Sequence, residues 1–356
     1  FTVFDYPVRF IHRPHLYSNT YKVGWDGNEE EYKRYLEKTF EETMVPVEIK
    51  DDDGPIVEPS FKAWWGVPDM PKVNFENKDA RQWALDVTKY WIENFDIDGW
   101  RMDVAKELDF SFWKDFRDIA YSAKEDVLLI SEIFGDTSQW LQGDRFDGTM
   151  NYSFRETMTD YFATKRINNK EFADSLANLY SMYSFEALSS CQNLLSSHDV
   201  KRFLNRSGNN EDGILGAIFL QTTFPGIAGI YYGDEIGLGG ADDPFNREPF
   251  PWHDKPSWNM TILEFTKTMM NIKNSNTIFK YGRFELLNDT EDVVIFRRIL
   301  QDESLLCIVN RDRLTKDLTI NTNAHSIDVI YGDCEAILED GSIKITKNRG
   351  DIGLIT

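Results

Sequence analysis

Between Ile97 and Tyr232 five short apolar runs are separated by stretches of helical spacing, and that alternation leaves few folds open. The runs are Ile97–Val104, Val127–Ile130, Phe146–Tyr152, Gln192–Ser196 and Ile227–Tyr232. Around them, Asn77 is placed to cap a helix carrying Trp83, Ala84, Val87, Tyr90 and Trp91 on one side. A second stripe, Phe112, Phe116, Ile119 and Ala120, follows Ser111, and Ile214–Phe219 and Thr261–Ile272 read as further helices. Short strands that are apolar on both faces must be covered on both faces. Interleaved with helices, they predict an α/β fold with a parallel sheet.

After Phe279 the apolar period falls to two. Val293–Ile299, Leu305–Val309, Ile327–Tyr331, Ala336–Leu338 and Ile343–Thr346 read as strands, with Asp340-Gly341 as a hairpin turn between the last two. The expected organisation is therefore an irregular loop or inserted subdomain over residues 1–75, a parallel α/β portion over 76–278, and an antiparallel β-domain over 279–356. A length of 356 residues suits one large domain with a smaller one.

Charge narrows the partners. Sixty acidic residues (60) against 39 basic ones give a net charge of -21, which repels phosphate backbones and argues against nucleic acid. No apolar run approaches the length of a membrane span, so no membrane partner is expected. Cys191, Cys307 and Cys334 fit neither a disulfide framework nor zinc spacing, and read as buried thiols in a reducing compartment. That favours a cytoplasmic protein; a secreted one stays open, because FTVFDYPVRF lacks a signal pattern but a signal is removable.

In parallel α/β sheets the reactive groups gather at the carboxyl ends of the strands. The runs lead into Arg101-Met-Asp103, Ser131-Glu132, Ser197-His198-Asp199 and Gly233-Asp234-Glu235. Acids behind apolar runs are costly to bury without a partner or a task. Paired carboxylates suit glycoside hydrolysis, where one attacks as an anion and the other donates a proton. Arg101, two residues before Asp103, points to the same face of a strand and is placed to keep it ionised. Burial among like charges would keep Glu132 protonated.

These residues carry a family resemblance. Asp98-Gly-Trp-Arg101-Met-Asp103-Val-Ala-Lys-Glu107 resembles the nucleophile segment of the α-amylase family of glycoside hydrolases. Glu132 after Leu-Leu-Ile-Ser resembles its general acid/base, and Asn193-Leu-Leu-Ser-Ser-His198-Asp199 the segment of its transition-state-stabilising aspartate. Met70-Pro-Lys-Val-Asn74 is similar to a motif of the neopullulanase, cyclomaltodextrinase and maltogenic amylase group, and Gly229–Glu235 resembles the eighth barrel strand. The resemblance covers roughly residues 60–350. It implies a (β/α)8 TIM-type barrel of which strands four to eight are evident, and a retaining hydrolase of α-1,4-glucans such as cyclodextrins, maltodextrins or pullulan, with some transglycosylation. It assigns catalysis to Asp103, Glu132 and Asp199. Substrate binding falls to Arg101 and His198, and to Asp243 and Arg247 at the donor end. No metal ligands and no required cofactor follow; calcium is permitted but not indicated. Dimers are common in the group, which admits a homodimer.

The sequence also departs from the family. Ile133-Phe134-Gly135 replaces an aromatic followed by His after the acid/base, and an Asp…Asn-His segment on strand three is missing. Five strands do not close a barrel, so the expectation is a chain that begins inside a longer protein. Two alternatives stand beside the hydrolase: an amylase-like protein that binds sugar or a partner without catalysis, and a glucanotransferase or sugar isomerase. Trp64, Trp65, Phe134, Trp140 and Trp252 are candidate sugar platforms or core residues. His12 with His15, and Asp51-Asp-Asp-Gly54, read as weak metal signals, and Gly237-Leu-Gly-Gly240 as a turn or hinge.

Overall fold

The computed structural model describes residues 71–287, 293–309, 311, 317–332 and 335–346, and the backbone of 352–355. The chain divides into two compact units, Phe1–Asp86 and Val87–Thr356. Trp64, Trp65, His12, His15, Asp51–Gly54 and Cys334 lie outside the described residues. Helix α1 (Lys78–Phe95) starts where expected, because the Asn77 side chain accepts from the N–H groups of Asp79 and Ala80 at 2.9 and 3.2 Å.

The second unit opens on a parallel sheet in chain order: β1 (Gly99–Met102), β2 (Leu128–Ser131), β3 (Gly148–Asn151), β4 (Gln192–Leu194) and β5 (Ile227–Gly229). Every neighbouring pair is parallel, so every carboxyl end lies along one edge. All the strands but β2 are shorter than their apolar runs, and residues following the strands supply the loops at that edge. Gly148 is required at the start of β3, since a Cβ there would sit 2.1 Å from the Ser190 carbonyl oxygen. Ile130, Met150, Tyr152 and Leu194 form an apolar cluster with Leu128 and Val200.

Helix α2 (Phe110–Ala123) is capped by Asp109 and buries Phe112, Trp113, Phe116 and Ala120. The Trp113 indole donates to the Ala105 carbonyl at 2.8 Å, tying the helix to the loop after β1. Three helices between β3 and β4 stand where no element is expected from the sequence: α3 (Tyr152–Met158), α4 (Asn169–Met182) and α5 (Phe185–Ser190). The signals for α4 are a capping box between Asn168 and Glu171 and a stripe of Phe172, Ala173, Leu176 and Leu179. Helix α6 is Phe203–Arg206. Helix α7 (Glu211–Thr223) is buried nearly all round, and α8 (Met260–Ser275) and α9 (Ile278–Tyr281) follow β5.

The C-terminal strands are antiparallel. Arg283–Leu286 (β6), Val294–Leu300 (β7), Glu303–Val309 (β8), Val329–Tyr331 (β10) and Ile352–Ile355 (β13) form one sheet, ordered β10-β13-β8-β7-β6. Leu318–Asn321 (β9), Glu335–Glu339 (β11) and Ser342–Thr346 (β12) form another. Val293, Ile295, Leu306, Ile308, Leu318, Ile343 and Ile345 make their core. Asp340 and Gly341 both take positive φ, 49° and 73°, as a two-residue hairpin turn demands. The buried Arg298 donates to the carbonyls of Thr223, Phe279 and Gly282 at 2.7, 3.1 and 2.7 Å, satisfying carbonyls that helix ends leave open. No helix among the described residues is long and apolar enough to cross a membrane.

Candidate active site

The carboxyl edge of the parallel sheet gathers the polar residues that follow the strands. Arg101 is the hub on one side. Its guanidinium reaches Asp103 Oδ1 through Nη1 and Glu132 Oε1 through Nη2, both at 2.6 Å. The two carboxyls differ in setting: the Asp103 side chain is 72% exposed and that of Glu132 only 6%. The second Glu132 oxygen accepts from Val104 N–H at 3.1 Å. That N–H is aimed by a left-handed backbone, since Val104 has φ 44° and ψ 45°. A β-branched residue seldom adopts this region, and such strain concentrates where geometry serves a function.

Burial lifts Glu132 to about 7, and the nearby Asp103 carboxylate adds to the rise. Val104 N–H and Arg101 act the other way but do not overcome burial. The result is an acid that holds its proton near neutrality beside an exposed, cation-paired carboxylate.

The turn Ser197–Val200 supplies the other side. His198 Nε2 meets Asp199 Oδ2 at 3.1 Å, and Arg247 Nη2 reaches Asp199 Oδ1 at 3.5 Å. Arg247 Nε also donates to the His198 carbonyl at 3.0 Å and pairs with Asp243 Oδ1 at 3.2 Å. Glu132, His198 and Asp199 each bring one polar atom within 4.8 Å of the others. Those atoms form a donor set that suits a metal ion in principle, and equally a ring of sugar hydroxyls. All seven residues singled out from the sequence, Arg101, Asp103, Glu132, His198, Asp199, Asp243 and Arg247, thus fall into one connected constellation.

Of the aromatic candidates, Phe134 lies beside the site. It stacks on Tyr152 with ring centroids 3.8 Å apart, and the Tyr152 hydroxyl meets Ser197 Oγ at 3.1 Å. Trp140 instead packs edge-on against Phe110, and Trp252 is 66% exposed in a cluster with Phe250 and Trp258. Gly237 takes φ 70° to end the short helical turn Asp234–Ile236, so this glycine-rich stretch forms a turn.

Four contributors escape a reading of the sequence: Tyr152, Ser197, Arg202 and Asn246. Tyr152 is pushed up to about 12 by burial, helped by the charges of Glu132 and Asp199, and stays a neutral hydroxyl facing them. Ser197 Oγ accepts from Asp199 N–H at 3.2 Å. Arg202 is wholly buried and pairs with Asp234 at 3.3 Å. The exposed loop context of Arg247 hides the buried Asn246 beside it.

Comparisons with known proteins identify the family. The family model for the α-amylase catalytic domain matches residues 60–281. Neopullulanase 2 of Thermoactinomyces vulgaris is 38% identical over 246 residues, covering 68% of this chain and 42% of that protein. The intracellular maltogenic amylase of Bacillus subtilis is 37% identical over 273 residues, covering 75% and 46%. The chain spans about half the length of the curated relatives it matches. Among solved structures, a debranching enzyme of Nostoc punctiforme superposes with a TM-score of 0.77 at 27% identity, covering 85% of this chain and 66% of that one.

Proposed function

The chain belongs to the α-amylase family of glycoside hydrolases, and from that membership and its site we propose a retaining hydrolase of α-1,4-glucosidic bonds in cyclodextrins, maltodextrins or pullulan. One observation carries the reading: Arg101 bridges an exposed carboxylate, Asp103, and a buried acid, Glu132, that burial lifts to about 7. A guanidinium touching both groups draws them together, which supports the retaining arrangement, with carboxyls about 5–5.5 Å apart, over the inverting one, whose roughly 6.5–9.5 Å leaves room for an attacking water.

In this mechanism Asp103 attacks the anomeric carbon as Glu132 gives its proton to the departing glycosidic oxygen. A glycosyl ester on Asp103 results, and Glu132 is left as a carboxylate. Glu132 then takes a proton from water, whose oxygen displaces Asp103 from the anomeric carbon and restores both groups. A sugar hydroxyl in place of water gives transglycosylation. Asp199 and His198 hold hydroxyls of the distorted ring, and Asp243 and Arg247 bind the donor end. The reaction needs no cofactor. Buried thiols at Cys191 and Cys307 support a reducing, cytoplasmic setting.

The test is turnover of a p-nitrophenyl α-maltoside with the product anomer followed by NMR. The wild-type protein is expected to release the α-anomer first, and Asp103→Asn and Glu132→Gln each to lose about 10²–10⁴-fold in kcat. Sugar binding without turnover in the wild type would refute the proposal in favour of a binding protein.

A further inference from the structure

The turn that carries His198 and Asp199 has no regular secondary structure to hold it, apart from a single bridge between Ser197 and Val200. Its peptide carbonyls point inward, and one side chain meets them. Asn246 Nδ2 lies 2.9 Å from the His198 carbonyl oxygen, 3.0 Å from that of Val200 and 3.5 Å from that of Ser197. Asn246 is completely buried, and its Oδ1 has no hydrogen-bond partner among the described residues. Three carbonyls on one side decide the orientation of the amide, because only the NH2 end can face them. The NH2 group is thus the part of the side chain that secures this turn.

Asn246 is itself held in place. The Tyr231 hydroxyl donates to its backbone carbonyl at 3.2 Å, and a Cβ on Gly240 would sit 2.9 Å from its Cα, so the loop is packed with no spare room. Next to it, Arg247 adds a donor to the same His198 carbonyl. Ser197 Oγ meets the Tyr152 hydroxyl and, within the turn, accepts from Asp199 N–H. The turn is therefore pinned from outside by Tyr152, Arg247 and Asn246, and Asn246 makes the most contacts with its carbonyls.

We infer that Asn246 is a positioning residue, whose amide holds the Ser197–Val200 turn so that His198 and Asp199 face Glu132 across the sugar-binding space. This inference rests on the proposed glycosidase reading. Asn246 touches no reacting atom; it acts through the two residues whose backbone it holds. A shift of the turn by about 1 Å is enough to cost roughly 10²-fold in rate when the displaced groups engage the transition state.

The experiment is a double-mutant cycle on the whole protein with p-nitrophenyl α-maltoside. Asn246→Asp keeps the shape of the side chain and turns a donor into an acceptor facing three carbonyls; Asn246→Ala removes the amide altogether. Both are expected to lower kcat by about 10–10²-fold with KM changed less than threefold. The alkaline limb of the pH profile, which reports Glu132, should stay where it is. In an Asp199→Asn background, adding Asn246→Ala should cost clearly less than it does in the wild type, because one of the two groups it positions is already gone. A circular-dichroism melt of each variant separates loss of folding from loss of rate. Wild-type kcat in both Asn246 variants, or losses that multiply with Asp199→Asn, would overturn the inference while leaving the glycosidase reading intact. A wild-type protein with no turnover would overturn that reading and the inference with it.

Discussion

Two arginines stand at the carboxyl edge of the same parallel sheet and have been put to opposite uses. Arg101 is a third exposed and shares its charge between Asp103 and Glu132 at 2.6 Å each. Arg202 is wholly buried, serves Asp234 at 3.3 Å and the Tyr232 carbonyl at 2.7 Å, and lies 4.5 and 4.8 Å from the Tyr231 and Tyr232 ring centres. Burial lifts both partner acids, Glu132 and Asp234, to about 7. The difference lies in access. The Arg101 group opens onto an exposed carboxylate that a substrate can reach, whereas the Arg202 group is sealed by rings and backbone. Perturbed acidity therefore does not by itself mark a site. It does so where the perturbed acid adjoins an exposed partner; sealed in, it marks a staple that braces the loop after β5.

The sealed pair gives the largest expected effect. Arg202→Met strips a buried carboxylate of its cation, and breaking a buried pair in this way costs about 3–5 kcal/mol. The sign of its pH dependence follows from Asp234. In the unfolded chain an aspartate gives up its proton near 3.9, while in the folded protein it does so at about 7. Between those values the folded state holds the extra proton, so this group's contribution to stability falls as pH rises. Removing Arg202 lifts the folded value further. The loss should be greater at pH 8 than at pH 5, as measured by urea unfolding at both, and Arg202→Met with Asp234→Asn should recover much of it. An equal loss at both pH values would mean that Arg202 matters for packing alone.

The open pair should respond in rate rather than in stability. Arg101→Met removes a cation that lowers Glu132, so the alkaline limb of kcat/KM should move to higher pH. Misplacement of two carboxylates should also reduce kcat/KM by about 10²-fold at pH 6. A pH–rate profile of the variant checks both. A limb that moves down, or stays fixed, would detach the alkaline limb from Glu132.

This contrast also explains how far the sequence can be read. Asp103, Glu132 and Asp199 were legible because each closes an apolar run, and strand ends in a parallel sheet are where polar groups converge. The five parallel strands were legible as apolar runs, and β7, β8, β10, β11 and β12 from their period of two, whereas the short β6, β9 and β13 and helices α3, α4 and α5 were not, although α4 carries its own capping box. The supporting residues were illegible for a physical reason. Asn246 and Arg202 act largely on backbone carbonyls 30 to 49 positions away in the chain, and a carbonyl has no residue-type signature. The burial that separates Arg202 from Arg101 is likewise a property of packing, and both arginines look alike as letters beside an acid.

The smallest effect concerns the hinge of the open pair. Val104 sits in the left-handed region at φ 44°, and its N–H is the donor that holds the second Glu132 oxygen. For a β-branched residue this conformation costs about 1–3 kcal/mol, while glycine adopts it freely but loses more chain entropy on folding, roughly 0.5–1 kcal/mol. Val104→Gly should therefore stabilise the protein by about 0–2.5 kcal/mol net, seen as a rise in the urea midpoint. Because glycine keeps the N–H, Glu132 retains that hydrogen bond and the alkaline limb should not move. If stability rises but kcat falls, the strain itself holds Glu132 against Arg101. If stability falls, the valine side chain contributes more through packing than its backbone costs, and the open pair is braced in the same way as the sealed one.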